Sequence, residues 1–120
     1  MAKTRVLVVD DDPAVLGLVA GALSSEGYEV HAVPSPTQAA ELATVSPCFD
    51  LLVSDVNMPD VCGPELARQI TQICPTIAIV LMSGDSAGQV LPKSAWFISK
   101  PFMLTDLYSV VEKALASSSA

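Results

Sequence analysis

The order of apolar runs and capped segments in this chain predicts an α/β fold, a parallel sheet wrapped by helices on both faces. Three observations carry that expectation. Runs such as Val6-Leu7-Val8-Val9 and Ile77–Met82 are apolar at consecutive positions, as strands buried on both faces are. Helix-start chemistry follows the first two strands, with Asp12 before Pro13 and Ser35 before Pro36. The alternation of strand and helix recurs five times, and parallel strands need crossovers that are normally helical.

Val6–Val9 is the first strand and stops at acids. Asp12 is placed to cap a helix that opens at Pro13, and Val15, Leu16, Val19 and Leu23 carry its apolar face towards Gly27. Tyr28 to Val33 forms the second strand. Ser35-Pro36-Thr37-Gln38 supplies a cap, a first-turn proline and a capping-box glutamine, predicting a second helix to about Val45. Leu51-Leu52-Val53-Ser54 is the third strand, followed by a loop through Pro59 and a helix from Pro64 to Ile73. Ile77 to Met82 is the most apolar strand and Trp96 to Ser99 a weaker fifth. Leu107, Val110, Val111 and Leu115 have the spacing of a last helix.

With 120 residues the chain fits one domain, 1–120, with one core and no need of disulfides; 117–120 read as a frayed tail or linker stub. No apolar run approaches the roughly 20 residues of a membrane span, and Met1–Arg5 does not open a secretory signal, so a cytoplasmic location is expected. Cys48, Cys62 and Cys74 are odd in number and widely spaced, fitting neither a disulfide framework nor a zinc cluster; reduced structural thiols are expected. A net charge of −7 opposes contact with a phosphate backbone, excluding direct nucleic-acid binding as a first reading. On such a chain Trp96 and Phe102 read as packing residues and His31 as a surface strand residue.

Ligands of parallel α/β sheets sit beyond the carboxyl ends of the strands. There the sequence gathers Asp10-Asp11-Asp12, Asp55, Ser83 and Lys100. Taken singly, each has an ordinary explanation: acids after a strand form turns and caps, a serine bonds nearby backbone, and a lysine before proline is solvated. Their joint occurrence is what points to chemistry. Two carboxylates ~4 Å apart repel by roughly 4 kcal/mol at an effective dielectric of 20, so such a group needs a cation. Mg²⁺ suits an oxygen-only site and takes one or two carboxylates together with phosphate oxygens.

Four pieces of the chain, Val8-Val9-Asp10-Asp11-Asp12-Pro13, Ser54-Asp55-Val56-Asn57-Met58-Pro59-Asp60 with Gly63, Leu81-Met82-Ser83-Gly84, and Ser99-Lys100-Pro101-Phe102, resemble the receiver domain of two-component response regulators. The likeness covers essentially the whole chain, in the family's order and nearly at its spacing. It implies a flavodoxin-like (βα)5 three-layer sandwich, with a five-stranded sheet of order 2-1-3-4-5.

The resemblance also implies roles. Asp55 would be the phosphoacceptor, taking a phosphoryl group from a histidine kinase or histidine phosphotransfer protein. Asp10, Asp11, Asp55 and the backbone carbonyl of Asn57 would hold Mg²⁺ (or Mn²⁺), Asp10 through water. Lys100 would neutralise the transferred oxygens, and Ser83 with Phe97 would form the switch. Asn57 and Asp85 correspond to positions that tune phosphoryl loss, and Lys100-Pro101 to the family's cis peptide. Such a protein is a signalling phosphoacceptor, not an enzyme in the ordinary sense; it catalyses only its own phosphorylation and dephosphorylation. A monomer or weak dimer is expected.

The match departs from the family between Ser83 and Lys100. Sixteen residues intervene, fewer than usual, and Gly84, Gly88 and Pro92 interrupt them. Helix four is therefore expected to be short or irregular, and the face it forms with strand five and helix five remodelled. Two alternatives stand beside the receiver reading. Asp10 and Asp12 contain the Asp-x-Asp pair of haloacid-dehalogenase-like phosphatases, although Pro13 stands where a glycine is expected and no second acidic pair lies late in the chain. A degenerate receiver acting only as a binding module is the other, opposed by the intact acids, Ser83 and Lys100. A flavin carrier shares the sheet, but acids follow strand one where a phosphate loop would lie.

Overall fold

In the computed structural model, residues 3–84 and 94–118 are described. Their elements run β1 (Arg5–Val9), α1 (Pro13–Ser25), β2 (Glu29–Val33), α2 (Pro36–Val45), β3 (Leu51–Asp55), α3 (Gly63–Ile73), β4 (Ala78–Ser83), β5 (Trp96–Ser99) and α4 (Leu104–Ser118). All four strand pairings are parallel and the order is β2-β1-β3-β4-β5, as the resemblance implied.

Consecutive apolar residues in the central strands serve two cores at once, because neighbouring side chains leave a strand on opposite faces. Val6, Val8, Leu51, Val53, Val80 and Met82 pack with Val19 and Leu23 of α1 and Leu107 and Val111 of α4. Leu7, Val9, Leu52, Ile79 and Leu81 pack with Ala39 and Ala43 of α2 and Leu66 and Ile70 of α3. Three layers result, with α1 and α4 on one side of the sheet and α2 and α3 on the other. The edge strands β2 and β5 are only partly buried, which accounts for the weaker apolar signal of Trp96–Ser99.

Most boundaries fall within two residues of expectation. The Asp12 carboxylate accepts the Ala14 N–H at 2.9 Å, and the Ser35 hydroxyl accepts the Gln38 N–H at 3.2 Å, so both anticipated caps form. Helix α1 stops at Ser25, before Gly27, because Gly27 takes φ +94° and its N–H bonds the Ser24 carbonyl. Tyr28 and Ile77, expected in strands, lie immediately before them, and their amides bond the Leu23 and Cys74 carbonyls. At the C-terminus α4 continues through Ser118, so Ser117 and Ser118 belong to its last turn instead of a tail. The expected short or irregular helix four, with Asp85, Gly88 and Pro92, lies outside the described residues.

The cysteines differ from expectation. Cys48 and Cys74 form a disulfide, with Cα atoms 5.6 Å apart across 26 positions of sequence, while Cys62 is free and exposed. Sequence spacing hid the pair because β3 and α3 run in opposite senses, which returns the end of α3 to the residues just before β3.

Gly63 begins α3 against the end of β3. Its N–H bonds the Val56 carbonyl at 2.8 Å. A Cβ there would sit 2.9 Å from the Val56 Cα and well inside contact distance of the Asp55 carbonyl oxygen. Both obstacles are backbone, so neither can swing aside. Gly63→Ala is therefore expected to lower unfolding free energy by about 2 kcal/mol or more in urea titrations, with the Asp55 loop displaced.

Candidate functional site

Parallel strands end at one edge, and the topology delivers the anticipated residues there. Asp10 follows β1, Asp55 closes β3, Ser83 closes β4 and Lys100 follows β5. Backbone bonds fix these ends relative to one another: the Val56 N–H bonds the Met82 carbonyl at 2.9 Å, and the Lys100 N–H bonds the Ser83 carbonyl at 2.8 Å.

Lys100 joins the acids. Its ammonium donates to Asp10 Oδ2 at 3.0 Å and lies 3.2 Å from Asp55 Oδ1. Asp10 is fully buried and Asp55 nearly so. The second Asp10 oxygen accepts the Asp12 N–H at 2.9 Å, which aims the carboxylate and shapes the turn into α1. Asp11, exposed, adds a third carboxylate, and oxygens of Asp10, Asp11 and Asp55 lie within 4.8 Å of one another. Three converging carboxylates against one ammonium leave negative charge uncompensated, and a hard divalent cation fits that donor set.

Burial raises the Asp55 pKa; Lys100 lowers it in part, Asp10 pushes it further up, and the Asn57 amide bonds the charged form. Burial opposes the charge on Lys100, but its hydrogen bond to Asp10 and the charges of Asp10 and Asp55 outweigh this, so its pKa is raised. Lys100 stays charged, and Asp55 is the acid whose charge the fold resists.

Ser83 is buried, and its hydroxyl has no hydrogen-bond partner among the described residues. A buried hydroxyl normally finds one, so Ser83 is an exception among the described residues. The Phe97 ring, two residues before Ser99 on β5, is 38% exposed and faces outward. Asn57 is exposed, while Met58 packs into the α2/α3 core. The Lys100-Pro101 peptide is cis. Asp12 is committed to the α1 cap, so it does not join Asp10 as an Asp-x-Asp catalytic pair. Trp96 and Phe102 pack against the α1/α4 core, and His31 lies half-exposed beside Glu29 and Phe49.

Sequence reasoning missed Ser54. Its fully buried hydroxyl donates to the Asp55 carbonyl at 2.9 Å, supporting the backbone beneath the site. Serine before an acid carries no signal of that role. The 48–74 disulfide was missed for the reason given above, and Gly63 was visible only as a member of a motif.

A family model for the response regulator receiver domain matches residues 6–112. The chain is 35% identical over 116 residues to the response regulator receiver protein CpdR of Brucella abortus, covering 92% of this chain and 96% of that one. To the sensor kinase CckA of the same organism it is 37% identical over 119 residues, covering 94% of this chain but only 13% of that protein. A crystal structure of a CheY-like receiver domain protein from Methanospirillum hungatei superposes with a TM-score of 0.85 at 25% identity, over 98% of both chains.

The raised Asp55 pKa has a defined sign in folding. Below the ordinary aspartate range both folded and unfolded chains hold the proton, and Asp55 costs nothing. As pH rises from that range through the higher folded value, the unfolded chain releases its proton first and stability falls; above it the loss is complete. In metal-free buffer, Asp55→Asn is therefore expected to exceed the parent in stability at neutral pH. The advantage should shrink to nothing in acid, as read by urea unfolding across a pH series.

Proposed function

The chain belongs to the response regulator receiver family of two-component signalling, and within that family we propose that Asp55 is its phosphoacceptor. The observation that carries this reading is Lys100, whose ammonium is shared between Asp55 and the buried Asp10 inside a three-carboxylate cluster. Asp55 is a nucleophile whose charge is resisted by burial and tolerated because of that ammonium. The donor is a phosphohistidine on a histidine kinase or phosphotransfer protein. An Asp55 carboxylate oxygen bonds phosphorus as the phosphorus–nitrogen bond breaks, and the imidazole keeps the bonding electron pair.

Phosphoryl transfer asks mainly for positioning and charge. Asp11, Asp55 and the Asn57 carbonyl would hold Mg²⁺ (or Mn²⁺), with Asp10 acting through water. A cation bound there supplies positive charge to the phosphoryl oxygens and relieves repulsion among the acids. Lys100 follows the negative charge from the Asp55 carboxylate to the new phosphoryl group while keeping its bond to Asp10. Ser83 then gains the acceptor it lacks: its hydroxyl donates to a phosphoryl oxygen, a bond that exists only in the modified state. That bond biases the conformation at the end of β4, and the outward Phe97 ring turns inward as the hydroxyl moves. Asn57 and Asp85 set how readily water reaches the acyl phosphate. The protein acts on itself and passes its state to a downstream protein.

Incubation with a small phosphodonor, or with beryllofluoride, should give one adduct at Asp55 that requires Mg²⁺ and is absent from Asp55→Asn, read by intact mass and fluorine NMR. Phosphate-ester turnover surviving Asp55→Asn would instead favour a phosphatase. Ser83→Ala should still be phosphorylated, but more slowly, and should lose the chemical-shift change of Phe97 that accompanies modification of the parent.

A further inference from the structure

The Cys48–Cys74 pair lies at the opposite end of β3 from Asp55, and its surroundings are built. Arg5 donates through its guanidinium to the Pro47 carbonyl, and to the Cys48 carbonyl at 3.4 Å. The same guanidinium stacks on the Phe49 ring, with Cζ 4.5 Å from the centroid, and Phe49 is itself buried. On the far side of Cys48, Asp50 exchanges two bonds of 2.8 Å with the Arg5 backbone: the Arg5 N–H donates to the Asp50 carboxylate, and the Asp50 N–H to the Arg5 carbonyl. Cys74 is held independently as the C-cap of α3, its N–H on the Ile70 carbonyl at 2.7 Å. Both cysteines are thus positioned by contacts that do not involve sulfur. With the bridge open, these contacts would still hold both segments in place.

Their exposure is unequal. Cys48 is exposed and Cys74 is 1% exposed.

We propose that Cys48 and Cys74 form a reversible thiol-oxidation site for low-molecular-weight disulfides, with Cys48 as the attacking thiol and Cys74 as the resolving one. The Cys48 thiolate attacks one sulfur of the small disulfide, forming a mixed disulfide and expelling one small thiolate. The Cys74 thiolate then attacks the Cys48 sulfur, closing the protein bridge and expelling the second. The two protein thiols lose two electrons in all, the small disulfide gains them, and the two protons leave on the small thiols. The closed ring encloses β3, Asp55, the loop after it and α3. Oxidation therefore restrains the unfolded chain across the whole segment that carries Asp55.

The test uses the fully reduced 120-residue protein, folded and anaerobic, titrated with oxidised glutathione and read by alkylation, intact mass and peptide mapping. Three free thiols should fall to one, Cys62, with loss of two hydrogens and no retained glutathione on the bridged segment. Cys74→Ser should trap glutathione at Cys48, whereas in Cys48→Ala Cys74 should stay reduced until urea is added. The bridged protein should melt higher than the reduced one by roughly 5–10 °C. Should those variants not fold, alkylation of the reduced parent suffices: Cys48 should react at least about tenfold faster than Cys74 when folded and equally in urea, following their exposure. The proposal is overturned if glutathione collects at Cys62 with Cys48 and Cys74 left free, if Cys74 reacts first, or if the bridge forms only in unfolded protein.

Discussion

A single ammonium group shared between two buried carboxylates is the constraint on which this molecule turns. Asp10 has no exposure to solvent, so without Lys100 its charge would lack compensation, and the Asp55 charge is resisted by burial even with that lysine present. An arrangement so short of positive charge is expensive to maintain in a metal-free protein. On the function proposed above, a divalent cation would supply the positive charge that this arrangement lacks. Stability and chemistry are opposed at this rim, and the rest of the fold is arranged to hold the conflict in place.

The holding is done mainly by backbone. Parallel pairing sets β1, β3, β4 and β5 side by side, and two core layers clamp the sheet from both faces. The strand ends are then tied to one another by amide bonds from Val56 to Met82 and from Lys100 to Ser83. Ser54 braces the Asp55 carbonyl from within, and Gly63 brings α3 against the same peptide because it has no Cβ. The frame beneath the site's side chains is thus held by backbone and core, independently of those side chains. Ser83 stands apart, buried and unpartnered among the described residues.

At the other end of β3 a second set of interactions secures the chain. Arg5, Phe49 and Asp50 fix the loop before β3, and Glu29 links Arg5 to His31 at 2.9 and 3.1 Å. Hydrogen bonds from Arg5 and His31 lower the Glu29 pKa, so the Glu29 carboxylate stays ionised across the neutral range. The segment between Cys48 and Cys74 is consequently anchored at both ends, with Asp55 in its first third.

The sequence by itself determined the class of fold, the alternation of elements, the caps at Asp12 and Ser35, and the identity of the acids, serine and lysine at the carboxyl edge. These were legible because each rests on local chemistry: apolar runs mark doubly buried strands, cap residues satisfy nearby amides, and motif residues sit at strand ends. The sheet order came from family resemblance, since periodicity says which residues are buried but not which strand lies beside which. Only the tertiary structure decided that Lys100 is shared by Asp10 and Asp55. It alone left the Ser83 hydroxyl without a partner among the described residues and put Ser54 and Gly63 beneath the Asp55 carbonyl. The same holds for Cys48 and Cys74, which the antiparallel course of β3 and α3 brings together across 26 positions. Contacts between residues far apart in the chain depend on how the layers pack, and that packing is a property of the whole chain that no local stretch of it encodes.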